Sequence, residues 1–287
     1  MQLKNKYYYF KKAIKQEVCQ KIILAGLNKL EQTKIEKGYT EAFTFDGLQA
    51  KNKSKSDVTQ DDKTRDQLKK EGIDNNKILV RDSTVSWLKE DWIYELFIPF
   101  ARAANINAGW KWSMDFSESF QFTIYKGDNK KKQFYSWHTD SHSDHFAVFK
   151  PAIRVDDKVW KQGILDDNND VIYDGQGKPK YTDKDVPLRE GTTLFKSGWT
   201  SDLNMAGKVR KMSMTCNLTN PENYEGGKLK FDFGQHLEHG DRFHTCEEIM
   251  DQGSIIFFPS FTYHCVTPVT RGTRYSLVMW TLGKPWK

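Results

Sequence analysis

The sequence predicts an α+β fold that is mainly β, with helices first and a β core over roughly residues 111–287. Three observations carry this. Apolar residues recur at helical spacing only in the N-terminal part. From about Trp110 the chain breaks into short β-like runs separated by Gly, Asn, Asp and Pro. Aromatic residues make up 14% of the chain, with nine Trp and eighteen Phe, which favours a packed core although the hydrophobic fraction is only 38%.

Taken in order, the segment from Ile14 to Gln32 places Val18, Ile22, Leu24, Leu27 and Leu30 near one face of an amphipathic helix. Residues 49–76, rich in Lys, Asp, Ser and Asn, read as a long surface loop. A second helix is expected from Ser83 or Thr84, either of which could cap it, to Asn105. Trp87, Leu88, Trp92, Leu96, Phe97 and Phe100 would form its apolar face. Strand candidates follow at 119–125, 133–140, 145–150, 211–218, 228–234, 253–260, 265–269 and 274–282, a spacing that suits an antiparallel sandwich or barrel with helices on one side. Residues 156–200 are rich in Asp, Gly and Lys and only weakly periodic, and read as an insertion near the rim. No internal repeat is present. The helical region 1–110 and the core 111–287 are therefore expected to form one structural unit.

Composition narrows the function classes. A net charge of +6 and a pI near 8.9 permit weak attraction to nucleic acid or another anion. The lysines, however, fall in loop-like runs at 51–56 and 126–132 that read as solvated faces. Cys19, Cys216, Cys246 and Cys265 are scattered without a CxxC pair, which argues against a zinc knuckle or a disulfide framework and fits a cytoplasmic protein. No segment reaches the run of about eighteen apolar residues that a membrane helix needs, and the first residues lack an uninterrupted apolar stretch. Neither membrane insertion nor secretion is expected.

The chemistry lies in YSWHTD and in the C-terminal HCVTPVTRGTRYS. On a strand, residues two apart share a face, so His138 and Asp140 can bind one ion. A lone His-x-Asp is weak evidence, because such a pair is commonly just hydrogen-bonded to itself. With His264 from a distant strand it completes a set of two His and one carboxylate, which leaves coordination positions open on a non-haem iron. Arg274 and Ser276, again two apart, would present a planar guanidinium fork able to hold a carboxylate. His142, Asp144 and His145 are rival ligands, expected to lie past the strand end.

Those residues, with Tyr125 and Gly127 in IYKG, Tyr135 before HTD, Arg210–Ser213, Gly226 and Gly227 in EGGKLKF, FPS, Pro268–Val269 and Gly272, give the chain a resemblance to Fe(II)- and 2-oxoglutarate-dependent dioxygenases of the prolyl 4-hydroxylase-like branch, over about 120–282. The resemblance implies a double-stranded β-helix (jelly-roll, cupin-like) core with N-terminal supporting helices. It implies Fe(II) on His138, Asp140 and His264, and the distal carboxylate of 2-oxoglutarate on Arg274, aided by Ser276 and by Tyr125 or Tyr135. It also implies O2 as oxidant, ascorbate as a reductant, and hydroxylation of an unactivated C–H with release of succinate and CO2. Gly226 and Gly227 read as hairpin residues with positive φ. Trp137, Trp280 and Phe258 are either pocket walls or core. A protein or peptide side chain such as proline is the substrate the resemblance favours. Hydroxylation or demethylation of a nucleic acid or small metabolite is the alternative, and a metal-free binding module the third. The oligomeric state is not legible.

Overall fold

The computed structural model describes residues 3–37, 41–45, 79–141, 147–148, 152–154, 160–163, 174–176, 180–185, 199–200, 205, 208–234 and 242–284. The loop expected at 49–76, most of the insertion expected at 156–200, and His142, Asp144 and His145 lie outside them. The chain forms two compact units, Met1–Asp140 with Arg210–Leu282, and Ser141–Val209 with Gly283–Lys287. The first unit opens with β1 (Tyr8–Phe10), α1 (Gln16–Lys37), β2 (Glu41–Phe45), β3 (Leu79–Leu88), α2 (Asp91–Asn107), β4 (Phe116–Ser117), β5 (Phe120–Gly127) and β6 (Phe134–His138). In the second unit β7 (Ala147–Val148) pairs in parallel with β11 (Trp199–Thr200). There β8 (Ala152–Arg154), β9 (Trp160–Gly163) and β10 (Tyr181–Asp185) form an antiparallel sheet. The first unit resumes with β12 (Val209–Asn217), β13 (Tyr224–Gly226), β14 (Leu229–Asp232), β15 (Phe243–Thr245), β16 (Ile255–Pro259), β17 (Tyr263–Val266) and β18 (Val269–Gly283).

The helix expected from Ser83 is a correction: Leu79–Leu88 is a strand, and the helix begins only at Asp91, behind Glu90. β-branched Thr84 and Val85 favour extended backbone, and Thr84 to Leu88 pair in register with Ile124 to Phe120. Alternation then decides exposure. Ser86 and Leu88 are buried, whereas Trp87 between them is 42% exposed. The helical period starts later, with Ile93, Phe97, Ala101 and Ala104 buried on one face of α2.

In the first unit the sheet runs β1-β16-β12-β18-β5-β3-β6-β17-β14-β15. Laid flat, strands about 4.8 Å apart would put β16 and β17 roughly 30 Å from each other. Yet the rings of Phe258 on β16 and His264 on β17 are 4.7 Å apart. The sheet therefore curls over and closes on itself as an antiparallel jelly roll, with a cavity inside. Alternation along β18 separates the two faces: Arg274, Ser276, Val278 and Trp280 line the cavity, while Leu277 and Met279 belong to the main core.

That core is where the helices dock. Phe122, Met212, Phe257 and Leu277 from the sheet form one cluster with Cys19 and Ile22 of α1 and Ile93 and Phe97 of α2. Truncating a fully buried ring such as Phe97 or Phe257 costs about 3–5 kcal/mol. α1 can approach closely because Gly26 carries no Cβ, which would lie 2.4 Å from the Phe122 ring. Ser86 Oγ donates to the Gly26 carbonyl at 2.9 Å across the same contact. Leu24, expected on the buried face of α1, is 59% exposed. All four cysteines are buried and free. Among the described residues no helix is long and apolar enough to cross a membrane.

Candidate metal centre

β6 and β17 are antiparallel neighbours, and their register sets His138 directly opposite His264. Asp140 follows two residues after His138, held by its N–H to the Ser260 carbonyl at 2.9 Å. One ligand atom from each of the three residues lies within 4.8 Å of the others, the only such cluster of His, Cys, Asp and Glu among the described residues. The His138 and His264 Nε2 atoms stand 3.7 and 3.6 Å from the Asp140 carboxylate oxygens. In both histidines Nδ1 donates to the backbone carbonyl two residues earlier, Ser136 at 2.7 Å and Thr262 at 2.8 Å. A carbonyl can only accept, so Nδ1 carries the proton and the Nε2 lone pair faces the centre, as a metal ligand requires.

The β6–β17 ladder contains a bulge: Val266 pairs with Tyr135, so Ser136 and Trp137 together face Cys265. Strict alternation would turn Tyr135 away from His138. The extra residue re-aims it, and the two rings stack 3.5 Å apart at 11°.

The electrostatics suit a cation. Burial pushes the Asp140 carboxyl up, but the two imidazoles and a Ser213 hydrogen bond outweigh it and hold the group well below the usual carboxylate range. Burial pushes the His264 imidazole down to about 4, so it is neutral near pH 7 and free to coordinate. Ser213 Oγ donates to Asp140 Oδ2 at 2.6 Å. Its one proton thus used, the Ser260 hydroxyl 2.9 Å away donates to it. This chain occupies Oδ2 and leaves Oδ1 the freer oxygen. Arg210 anchors the same residue through its carbonyl at 3.3 Å, while pairing with Glu118 at 2.6 Å and stacking 4.1 Å over Trp280.

Behind the triad lies a cavity of about 490 Å³, counted out to open solvent. Tyr125, Tyr135, Arg274 and Ser276 line it together with the triad, as do Phe258 and Trp280. Trp137 does not; it packs against Phe243 and Tyr263 on the opposite face. Arg274 is only 3% exposed, and among the described residues it has neither an ion-pair partner nor a hydrogen bond. Its stem fits because Gly227, at φ +59°, has no Cβ to sit 2.8 Å from Arg274 Cδ. Tyr125 is its register partner, with the guanidinium 5.8 Å from the ring centroid. Burial keeps both phenols protonated as donors, pushing Tyr135 up to about 12 and Tyr125 upward as well, against the pull of Arg81 and Arg274.

Ser213, Ser260 and Arg81 were not expected from the sequence. The signal for Ser213 is its place in the Arg210–Ser213 strand. The signal for Ser260 is its place in FPS, and Arg81 gives none, since an arginine in a strand is ordinary.

A curled β fold in which two His and one Asp bring ligand atoms together beside a buried arginine is an arrangement that could hold a metal ion and an anionic ligand. Independently, residues 193–282, under a third of the chain, match the model of the 2OG-Fe(II) oxygenase superfamily. The chain is similar to a PKHD-type hydroxylase of Synechococcus sp. strain CC9605, 37% identical over 84 residues, 29% of this chain and 35% of that protein. It is also similar to one of Klebsiella pneumoniae, 30% identical over 120 residues, 37% of this chain and 49% of that one. The chain thus spans half or less of the length of these relatives. A viral collagen prolyl hydroxylase of Paramecium bursaria Chlorella virus 1 superposes along 97% of both chains at 14% identity and a TM-score of 0.44, too loose to bear on function.

Proposed function

We propose that this chain is an Fe(II)- and 2-oxoglutarate-dependent dioxygenase that hydroxylates an unactivated C–H of a protein or peptide side chain, such as that of proline. The observation that carries the reading is Arg274, a buried guanidinium without a partner among the described residues, in the cavity that also holds the His138–Asp140–His264 cluster. An uncompensated buried cation is costly, and a ligand carboxylate is what would offset it.

His138 and His264 through Nε2, and Asp140 through Oδ1, would hold the ion. Arg274 would grip the distal carboxylate of 2-oxoglutarate in a forked pair, with the Ser276 hydroxyl and the Tyr125 phenol as further donors. The bound iron supplies the oxidative chemistry: 2-oxoglutarate, O2 and R–H become succinate, CO2 and R–OH. The protein's part is orientation and exclusion of water by walls such as Phe258 and Trp280. Among the described lining residues the only Arg or Lys is Arg274.

Succinate formation from 2-oxoglutarate, with purified protein, Fe(II), O2 and ascorbate, tests the reading. It is expected to need all components and to vanish in His138→Ala. No turnover and no 2-oxoglutarate binding under iron-replete, reducing conditions would overturn it.

A further inference from the structure

A second buried guanidinium sits just outside the cavity wall. Arg81 on β3 is 9% exposed, and its neighbour in the β3–β6 ladder is Tyr135. Its Nε donates to Ser83 Oγ at 2.8 Å, and Nη1 reaches Gln121 Oε1 only at 3.5 Å. Nη2 is fully buried and has no hydrogen-bond partner among the described residues. No carboxylate pairs with Arg81 among the described residues. The adjoining Asp82 belongs to the opposite face of the strand, where Gln133 donates to it at 2.7 Å and Lys131 stands 3.6 Å away.

What Arg81 does have is an aromatic face. Its Cζ lies 4.6 Å over the Tyr135 ring, and the Tyr135 ring stacks on the His138 imidazole at 3.5 Å. Guanidinium, phenol and metal-ligand imidazole thus form one connected stack, with the charge at its outer end. A cation over an aromatic face is held by the ring quadrupole, and more firmly when the cation is buried, as Arg81 is. Tyr135 is off the strand's normal alternation because of the bulge, so something beyond backbone pairing has to fix it. The charge also acts at a distance. A buried cation raises the potential across the cavity beside it, where Gln121 and Tyr135 form the wall.

We propose that Arg81 is a positioning residue of the co-substrate cavity. It holds Tyr135 against His138 and, with Arg274, gives the cavity the positive potential that selects a doubly negative 2-oxo acid over a singly negative one. This rests on the reading of the cavity as a 2-oxoglutarate site.

The test is the affinity of full-length protein for 2-oxoglutarate, measured by calorimetry with Mn(II) in place of iron so that no turnover is needed. The comparison ligand is 2-oxobutyrate, which lacks the distal carboxylate. In Arg81→Met the dissociation constant for 2-oxoglutarate is expected to rise about tenfold, and that for 2-oxobutyrate about threefold or less. In turnover the same variant should show a raised KM for 2-oxoglutarate with kcat within about twofold. Arg81→Lys, which keeps the charge without the planar stack, should recover part of the affinity. In a Tyr135→Leu background the Arg81→Met effect should shrink, because the two residues act as a unit. Should Arg81→Met destabilise the fold, Arg81→Lys alone decides: an affinity indistinguishable from the parent overturns the proposal. Equal weakening of both ligands overturns it too. If the parent protein binds no 2-oxoglutarate, the fault lies in the underlying reading instead.

Discussion

The two ends of one cavity are built on opposite principles. At the metal end every group is already held: each histidine by a carbonyl two residues back, Asp140 by Ser213, the Ser260 carbonyl and Arg210. At the other end Arg274 is buried with neither an ion-pair nor a hydrogen-bond partner among the described residues. The first end is complete before anything binds. The second leaves a guanidinium facing the cavity without an anion among the described residues, a charge that a bound anion would offset. The difference separates three side chains already oriented toward one point from a guanidinium that has no anion beside it among the described residues.

Variants can break or sharpen that contrast. The largest effect is expected from His264→Ala. Metal affinity, followed by equilibrium dialysis, should fall well beyond the roughly 100-fold that loss of an outer hydrogen-bond partner costs. Arg274→Met comes next. The KM for 2-oxoglutarate should rise about 100-fold, in line with the roughly 2–5 kcal/mol for truncating one side of a buried charge pair, while metal affinity stays unchanged. The melting temperature of the ligand-free protein should not fall, since the charge removed has no partner to lose. A clear drop in a thermal scan would mean that the two ends are not built differently after all. Ser213→Ala tests the opposite end: metal affinity should weaken about tenfold with little change in 2-oxoglutarate affinity. The smallest change is Gly227→Ala, where a left-handed φ and a Cβ 2.8 Å from Arg274 Cδ should cost about 1–3 kcal/mol in denaturant unfolding. Its effect on binding should be confined to 2-oxoglutarate.

How much of this the sequence reveals depends on whether a residue's role is set by period or by exception. Arg274 and Ser276 share the cavity face of β18, as spacing by two on a strand predicts, whereas Asp140 lies past the end of β6 and is brought beside His138 by its hydrogen bond to Ser260. The strands β5, β6, β7, β12, β14, β16 and β18 fall in predicted runs for the same reason, whereas the short strands β8 to β11, β13 and β15 lie in segments with too little alternation to read. The β3 strand reads as helix because Trp87 and Leu88 fall in helical spacing with the apolar residues of α2, which begins only three residues after Leu88. The position of Tyr135 could not be derived from alternation, since a bulge places it and bulges have no dependable sequence mark. Ser213 and Arg81 act through partners far away in the chain, which only the closed sheet brings together.

The hydrogen bonds around Asp140 have one more implication. Arg210 and Ser213, the first residues of the returning chain, clasp Asp140, the last residue before the excursion that begins at Ser141. Departure and arrival points are therefore stitched together by side chains belonging to the jelly roll itself. A polypeptide arranged this way can exchange the whole intervening unit for a short connector and keep the His138–Asp140–His264 cluster in place.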